Sequence, residues 1–308
     1  MTGVLLTGGF GYLGSWIRAS LGTAVPVLVT SRSPQLSDSA NPHPVVAIGS
    51  TTDSDFCEKT VQEVSSVVHL ASPPDNEKQL SDDQIISTHE MMARNIALAA
   101  VRRNINTLIY LSTVHVYGTS LDGRVTRDTP CRATTAYGLG HLVAEEIIRE
   151  ITSNSSVRTI IFRLANGYGS PTNHRSSAWR FFINDVCKQI ISSGAIQLRS
   201  HGQHCLDFVP MKYVAETVKN TLQNQDFNSG TYLLGSGVSE TLKTVAQFIS
   251  EHAEPVVGHR ILVSVNADDN TKAVKYKLDT QPLGEYQYVE SKIDIATIND
   301  LLRAAQSS

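Results

Sequence analysis

Cysteine is scarce in this chain, charge is nearly balanced, and long apolar runs are missing. Four cysteines, Cys57, Cys131, Cys187 and Cys205, stand without C-x-x-C spacing, which argues against a disulfide framework or a zinc ribbon and predicts reduced thiols. A formal net charge of −3 over 308 residues provides no basic field for nucleic acid or an anionic membrane surface. No stretch approaches the roughly eighteen apolar residues of a membrane span, and no basic segment followed by an apolar run opens the sequence. These absences predict a cytoplasmic globular protein whose partners are small molecules. In that setting Asn154-Ser155-Ser156 is a chance glycosylation sequon.

What is present has a rhythm. Hydrophobic residues make up 41% of the chain, ample for a core. Short β-branched runs at 25–30, 45–48, 67–70, 108–112 and 159–164 alternate with helical patterns near 55–64, 84–104 and 136–152. Strands buried on both faces read as continuous apolar runs, so the alternation predicts an α/β fold: a doubly wound parallel sheet of the Rossmann kind. Beyond about residue 170 the rhythm becomes irregular. We therefore expect a dinucleotide-binding domain over 1–168 and a smaller, mainly substrate-binding region over 169–308.

The first strand carries the sharpest signal. Val4-Leu5-Leu6 runs into Thr7-Gly8-Gly9-Phe10-Gly11-Tyr12-Leu13-Gly14 and then into a helical pattern. Glycines at this spacing turn the chain off a strand, admit a pyrophosphate close to backbone and let the helix pack on the sheet. The helix N-terminus offers unpaired N–H groups and a positive dipole end. A plain structural turn is the alternative reading. Ligands of such sheets bind beyond the strands' carboxyl ends, so the loops at Gly8 to Gly14, Ser31 to Ser33, Ala71 to Pro74, Thr113 to Gly118 and Ala165 to Gly169 are expected around one cleft.

Several motifs in order then resemble the extended short-chain dehydrogenase/reductases, the NAD-dependent epimerase/dehydratase family. They are the glycine-rich start, Val68-His69-Leu70-Ala71, Tyr110-Leu111-Ser112-Thr113 leading to Val116-Tyr117-Gly118, Tyr137 opening a helix, and Arg163-Leu164-Ala165-Asn166-Gly167-Tyr168-Gly169. The resemblance implies that Tyr137 exchanges a proton with a substrate oxygen while hydride moves to or from a nicotinamide, and that Thr113 orients that oxygen. It also implies cofactor contacts from Gly8, Phe10, Gly11, Tyr12, Leu13, Gly14, Ser31, Arg32, Leu70, Ala71, Ser72, Ser112 and Leu164. Asn95 matches a family asparagine that ties its helix to a neighbouring strand.

One position departs from the family pattern. A lysine is expected four residues after the tyrosine, where it grips the ribose and lowers the phenol's pKa; here that residue is His141. A unit charge about 6 Å from a phenol, at an effective dielectric of about 20, is worth roughly 3 kcal/mol, or about two pKa units. Histidine supplies that field only if its own pKa is raised, so His141 reads either as an imidazolium in catalysis or as a neutral ribose ligand.

Cofactor and substrate preferences follow from neighbouring residues. Thr30-Ser31-Arg32 ends the second strand without a carboxylate and offers hydroxyls and a guanidinium suited to a 2′-phosphate, so NADP is expected and NAD is possible. Where sugar-nucleotide dehydratases carry two acidic residues after the threonine, this chain has Val114 and His115, which disfavours dehydration. His115, Asn166 and Arg199 are candidate substrate contacts, although Leu206 stands where the family's diphosphate-clasping arginine belongs. His201-x-x-His204 lacks a partner at diagnostic spacing, so no metal is expected. The resemblance implies an oxidoreductase or epimerase acting on a nucleotide-activated sugar, working as a homodimer. Reduction of a smaller carbonyl compound and a weakly catalytic, cofactor-binding regulatory subunit are the rival readings.

Overall fold

A computed structural model describes residues 3–32, 44–73, 80–119, 121–171, 176–224, 227–280 and 293–307. Ser33 and Pro74 lie outside the described residues. In chain order the elements are β1 (Val4–Thr7), α1 (Tyr12–Leu21), β2 (Val27–Ser31), β3 (Pro44–Ile48), α2 (Ser54–Val61), β4 (Ser66–His69), α3 (Asp82–Arg102) and β5 (Thr107–Thr113), followed by β6 (Asp122–Val125), α4 (Ala136–Thr152), β7 (Arg158–Leu164) and β8 (Asn166–Tyr168). The remainder comprises α5 (Phe182–Ser193), β9 (Ala195–Gln197), β10 (Cys205–Pro210), α6 (Met211–Gln223), β11 (Gly230–Leu234), β12 (Ser239–Thr241), α7 (Leu242–Val257), β13 (Leu262–Ser264), β14 (Lys275–Leu278) and α8 (Ile295–Gln306).

The main sheet has seven strands in the order β11-β7-β5-β4-β1-β2-β3. Each neighbouring pair from β7 to β3 is parallel, with Leu6 beside Val68 and Val29, and Ile109 beside Val68 and Ile160. The doubly wound α/β class read from the sequence is therefore the fold observed. Every residue of β1, β4 and β5 is buried, as a strand covered on both faces requires. On one side a core of Leu5, Val67, Leu108 and Ile161 meets Ala93, Ile96 and Ala97 of α3 and Ala144 and Ile148 of α4. Alanine and glycine at these contacts let α3 and α4 pack closely, and that pairing positions the site.

The chain folds into two compact units that are interleaved along the sequence. One gathers the described residues of 1–119, 129–164 and 215–232, and the other those of 120–128, 165–214 and 233–308. Most of α6 and β11 thus returns to the first unit from beyond residue 168. The second unit has its own core, in which Tyr168, Ile183, Val186, Ile190, Phe208, Val245, Ile249 and Leu301 are buried together.

Candidate active site

The glycine-rich turn forms as its spacing predicts. Gly8 has φ +68°, in the left-handed region that a side chain resists. A Cβ there would also lie 3.0 Å from the backbone nitrogen of Ala71, and one at Gly14 would lie 2.5 Å from Gly9 Cα. Helix α1 starts at Gly11 with no side-chain cap and no acidic residue in its first turn. By contrast α2, α3 and α4 are capped by Asp53, Ser81 and Thr135. An uncapped first turn beside a glycine cradle leaves N–H groups and the dipole's positive end for an anion, and these residues fit a dinucleotide's pyrophosphate. Phe10 is stacked under Arg18, 4.8 Å from its ring, while Tyr12 and Leu13 are half-buried on the opening turn.

Thr7 ties this turn to the next loop. Its Oγ1 accepts from Leu70 N at 3.1 Å and Ala71 N at 3.2 Å, and it lies 2.7 Å from Nδ1 of His69. Leu70 and Ala71 are half-buried and Ser72 is exposed. Ser31 is buried at the end of β2 and Arg32 is exposed just beyond it. Asn95 on α3 donates to Thr51 O at 3.2 Å, so it reaches the loop after β3 rather than a strand. Leu164 is half-buried at the end of β7.

Tyr137, His141, Thr113 and His115 come together in the first unit. Tyr137 and His141 sit one helical turn apart on α4, their rings 4.6 Å apart and edge to face. Tyr137 is 42% exposed and His141 only 6%. His115 lies in a 3₁₀ turn, Val114–Tyr117, with its ring 5.9 Å from that of Tyr137. Thr113 ends β5, and its Oγ1 accepts from His115 N at 3.2 Å. That bond leaves the Thr113 hydroxyl proton available to a ligand oxygen.

Two further rings complete the cluster, and neither was legible from local sequence. The His89 ring, on α3, lies 4.6 Å from that of His141. It fits because residue 140 is glycine: a Cβ there would be 2.6 Å from His89 Cδ2. Nε2 of His89 is buried with no hydrogen-bond partner. Tyr110 is buried on β5, and its hydroxyl lies 2.7 Å from Nδ1 of His141. Burial, with His89, His69 and His115 nearby, holds His141 well below the ordinary imidazole range. Burial likewise pushes His89 down to about 4 and His69 down to about 3. Burial among other imidazoles thus favours the neutral reading of His141 over the imidazolium one.

Glu145 continues the face that Tyr137 and His141 begin, and it is fully buried. It accepts from Ser112 Oγ at 2.5 Å, from Arg163 Nη2 at 2.7 Å and from Arg149 Nη2 at 2.5 Å. Arg163 also donates to the Tyr117 hydroxyl at 2.7 Å and stacks over that ring. The Ser112 hydroxyl is thus engaged inside the protein, and any cofactor contact it makes is through other atoms. Glu145 shares a helix face with Tyr137 and His141 at i+8 and i+4, but that spacing alone does not single it out, because its part depends on Arg163 on β7.

The remaining candidates belong to the second unit. Asn166 on β8 donates to Asp207 O at 3.0 Å. Arg199 has an exposed side chain 3.5 Å from Asp185. Leu206 packs against the apolar core. His201 and His204 meet Asp269, with their ligand-type atoms within 4.8 Å of one another. Both ring nitrogens of His201 are engaged, however: Nδ1 accepts from Gln203 N at 2.9 Å and Nε2 lies 2.7 Å from Thr271 O. His204 likewise accepts from Val274 N at Nδ1 and meets Thr271 Oγ1 at Nε2. These groups knit two loops together.

A parallel sheet with a glycine cradle on β1, an uncapped α1 and a tyrosine set over the carboxyl end of β5 defines a dinucleotide-binding enzyme of the α/β class. Residues 4–235 match the NAD dependent epimerase/dehydratase family, and the chain belongs to it. A low-salt glycan biosynthesis protein, Agl12 of Haloferax volcanii, is 22% identical over 89% of this chain and 93% of its own. A dTDP-glucose 4,6-dehydratase of Mycobacterium tuberculosis is 25% identical over 85% of this chain and 84% of its own. The fold resembles that of a UDP-glucuronic acid 4-epimerase from Bacillus cereus solved with UDP-glucuronic acid and NAD, with a TM-score of 0.79, 17% identity and 99% of each chain covered. Among the described residues no helix is long and apolar enough to cross a membrane.

Proposed function

We propose that the protein is an NAD(P)-dependent oxidoreductase or epimerase acting on a hydroxyl or ketone of a nucleotide-activated sugar, in the synthesis of a glycoconjugate or surface polysaccharide. The observation that carries this reading is the convergence of Tyr137, Thr113 and His141 in one unit with the glycine cradle. The bound dinucleotide supplies hydride exchange. Tyr137 gives a proton to the substrate oxygen or takes one from it, Thr113 donates to that oxygen, and His141 meets the ribose. Elimination is disfavoured although dehydratases are among the relatives, because Val114 and His115 follow Thr113 and the Glu145 carboxylate is held by arginines.

Arg32, exposed after a strand end without a carboxylate, supports NADP over NAD. A cytoplasmic homodimer joined through α3 and α4 fits the exposed Met91 and Leu139 on those helices. One observation favours a second reading, reduction of a smaller ketone. A neutral His141 gives a phenol no help in releasing its proton, whereas a protonated phenol can still donate one. Leu206, half-buried against the second unit's core, also offers no charge to a diphosphate.

The test is hydride transfer, followed at the nicotinamide absorbance, with UDP- and dTDP-sugars and with simple ketones. NADPH is expected to bind more tightly than NADH. Tyr137→Phe is expected to lower turnover by about 10²- to 10⁴-fold, the scale of a lost proton-transfer group, with cofactor affinity within a few-fold. Undiminished turnover in the variant overturns the assignment.

A further inference from the structure

The chain has ten histidines, and His69 and His141 flank one buried phenol. The Tyr110 ring stacks on His69 at 5.5 Å, and the ring of His141, 5.8 Å away, lies at its hydroxyl end. Its hydroxyl meets only Nδ1 of His141 among the described residues. Burial, with Glu145 and Tyr137 nearby, pushes the Tyr110 pKa well up, so the phenol keeps its proton.

Counting hydrogens then fixes the direction of this bond. If Nδ1 of His141 donated, the Tyr110 hydrogen would be buried without an acceptor, an arrangement native structures avoid. Tyr110 therefore donates, Nδ1 carries the lone pair, and the single proton of the neutral ring sits on Nε2. The same count holds at Thr7. Its oxygen already accepts from Leu70 and Ala71, so its proton goes to Nδ1 of His69. Hydroxyl groups thus set the tautomer of both imidazoles.

We propose that Tyr110 is the positioning residue of this site: by donating to Nδ1 it commits His141 to the Nε2–H tautomer, a neutral donor toward a hydroxyl of the dinucleotide's ribose. The position four residues after Tyr137 then works through a directed N–H rather than through charge. This rests on the functional reading above only in naming the ribose as acceptor. His89, whose buried Nε2 lacks a partner, fills the space behind the ring without supplying a cation.

The test uses the full-length protein without cofactor, labelled with ¹⁵N-histidine, with the His141 resonances assigned by their loss in His141→Asn. Long-range ¹H–¹⁵N correlations are expected to show a pyridine-type Nδ1 and a pyrrole-type Nε2 from pH 8 to pH 5.5. Tyr110→Phe is expected to mix the two tautomers and to weaken NADH and NADPH binding about tenfold. A protonated Nδ1 or an imidazolium at His141 in the unmodified protein overturns the proposal, as does an unchanged His141 spectrum in a folded Tyr110→Phe. Should that variant not fold, the unmodified spectrum still decides. Failure to bind either dinucleotide, with the Nε2–H tautomer present, overturns the functional reading instead.

Discussion

Two parts of this protein gather histidines, and they use them in opposite ways. In the first unit, His69 and His141 each give one ring nitrogen to a hydroxyl, and His89 keeps a buried Nε2 unpartnered. In the second, the ring nitrogens of His201 and His204 are taken up by Gln203, Thr271 and Val274. By sequence the second group is the more tightly spaced, with His201 and His204 three residues apart. In the fold it is a loop fastener. Nearness of histidines is thus a poor guide, and unspent hydrogen-bonding capacity beside a ligand-binding loop is a better one.

The largest expected effect that sharpens this contrast is acid sensitivity. His69 and His89 are held at about 3 and about 4, below the ordinary 6.5, and His141 is lowered in the same direction. Below pH 6.5 the unfolded chain takes up protons that these rings refuse. Their contribution is therefore complete above about pH 6.5 and is lost as pH falls toward the folded values. Each ring changes the folding equilibrium by roughly tenfold per pH unit in that window. Asp207, in the second unit, has the opposite sign. Burial raises it from 3.8 to about 6 against donors from Ser236 and Gly237, so its contribution is present at low pH and is lost as pH rises through about 6. Hydrogen exchange at pH 7 and pH 5, corrected for intrinsic rates, is expected to show protection falling in α3, α4 and β4 while β10 is spared. Uniform loss in both units would break the contrast.

Beneath the histidines, Glu145 makes the next prediction. It is fully buried between Arg163 and Arg149 and accepts from Ser112. Removing one partner of a buried ion pair strands the other, at a typical cost of about 3–5 kcal/mol. Glu145→Ala is expected to destabilise by about that amount in urea unfolding. A loss below about 1 kcal/mol would mean that the arginines find water instead, and that the base of the site is looser than its geometry.

Much of this fold was legible because it depends on periodicity. Apolar runs such as Thr107–Thr113 and Arg158–Leu164 are fully or nearly covered strands, and the glycine turn into α1 is a local pattern with a local cause. Tyr137, Thr113 and His141 were singled out by the resemblance to the family rather than by any period, and the fold brings them together in one unit. Tyr110, His89 and Glu145 were not, since each acquires its part from a residue on another element: His89 needs the absence of a Cβ at 140, and Glu145 needs Arg163 on β7. Nor does any run around Gly230–Leu234 reveal that this strand edges the main sheet. The lowering of His141 is likewise a product of burial among other rings, which no spacing encodes.

The smallest expected effect lies in the second unit. His204 is hydrogen-bonded to Val274 N and Thr271 at 3.2 Å each, in a half-buried setting near the surface where such bonds contribute little. His204→Asn keeps a polar group there and is expected to change stability by no more than about 0.5 kcal/mol, the usual range for surface substitutions. Zinc added in slight excess is expected to leave the thermal midpoint of both proteins where it was, because a ligand that binds only the native state raises that midpoint by mass action. A zinc-dependent rise in the unmodified protein, absent in His204→Asn, would mean that His201, His204 and Asp269 release their loop contacts to hold a cation, and the contrast between the two histidine groups would fall with it.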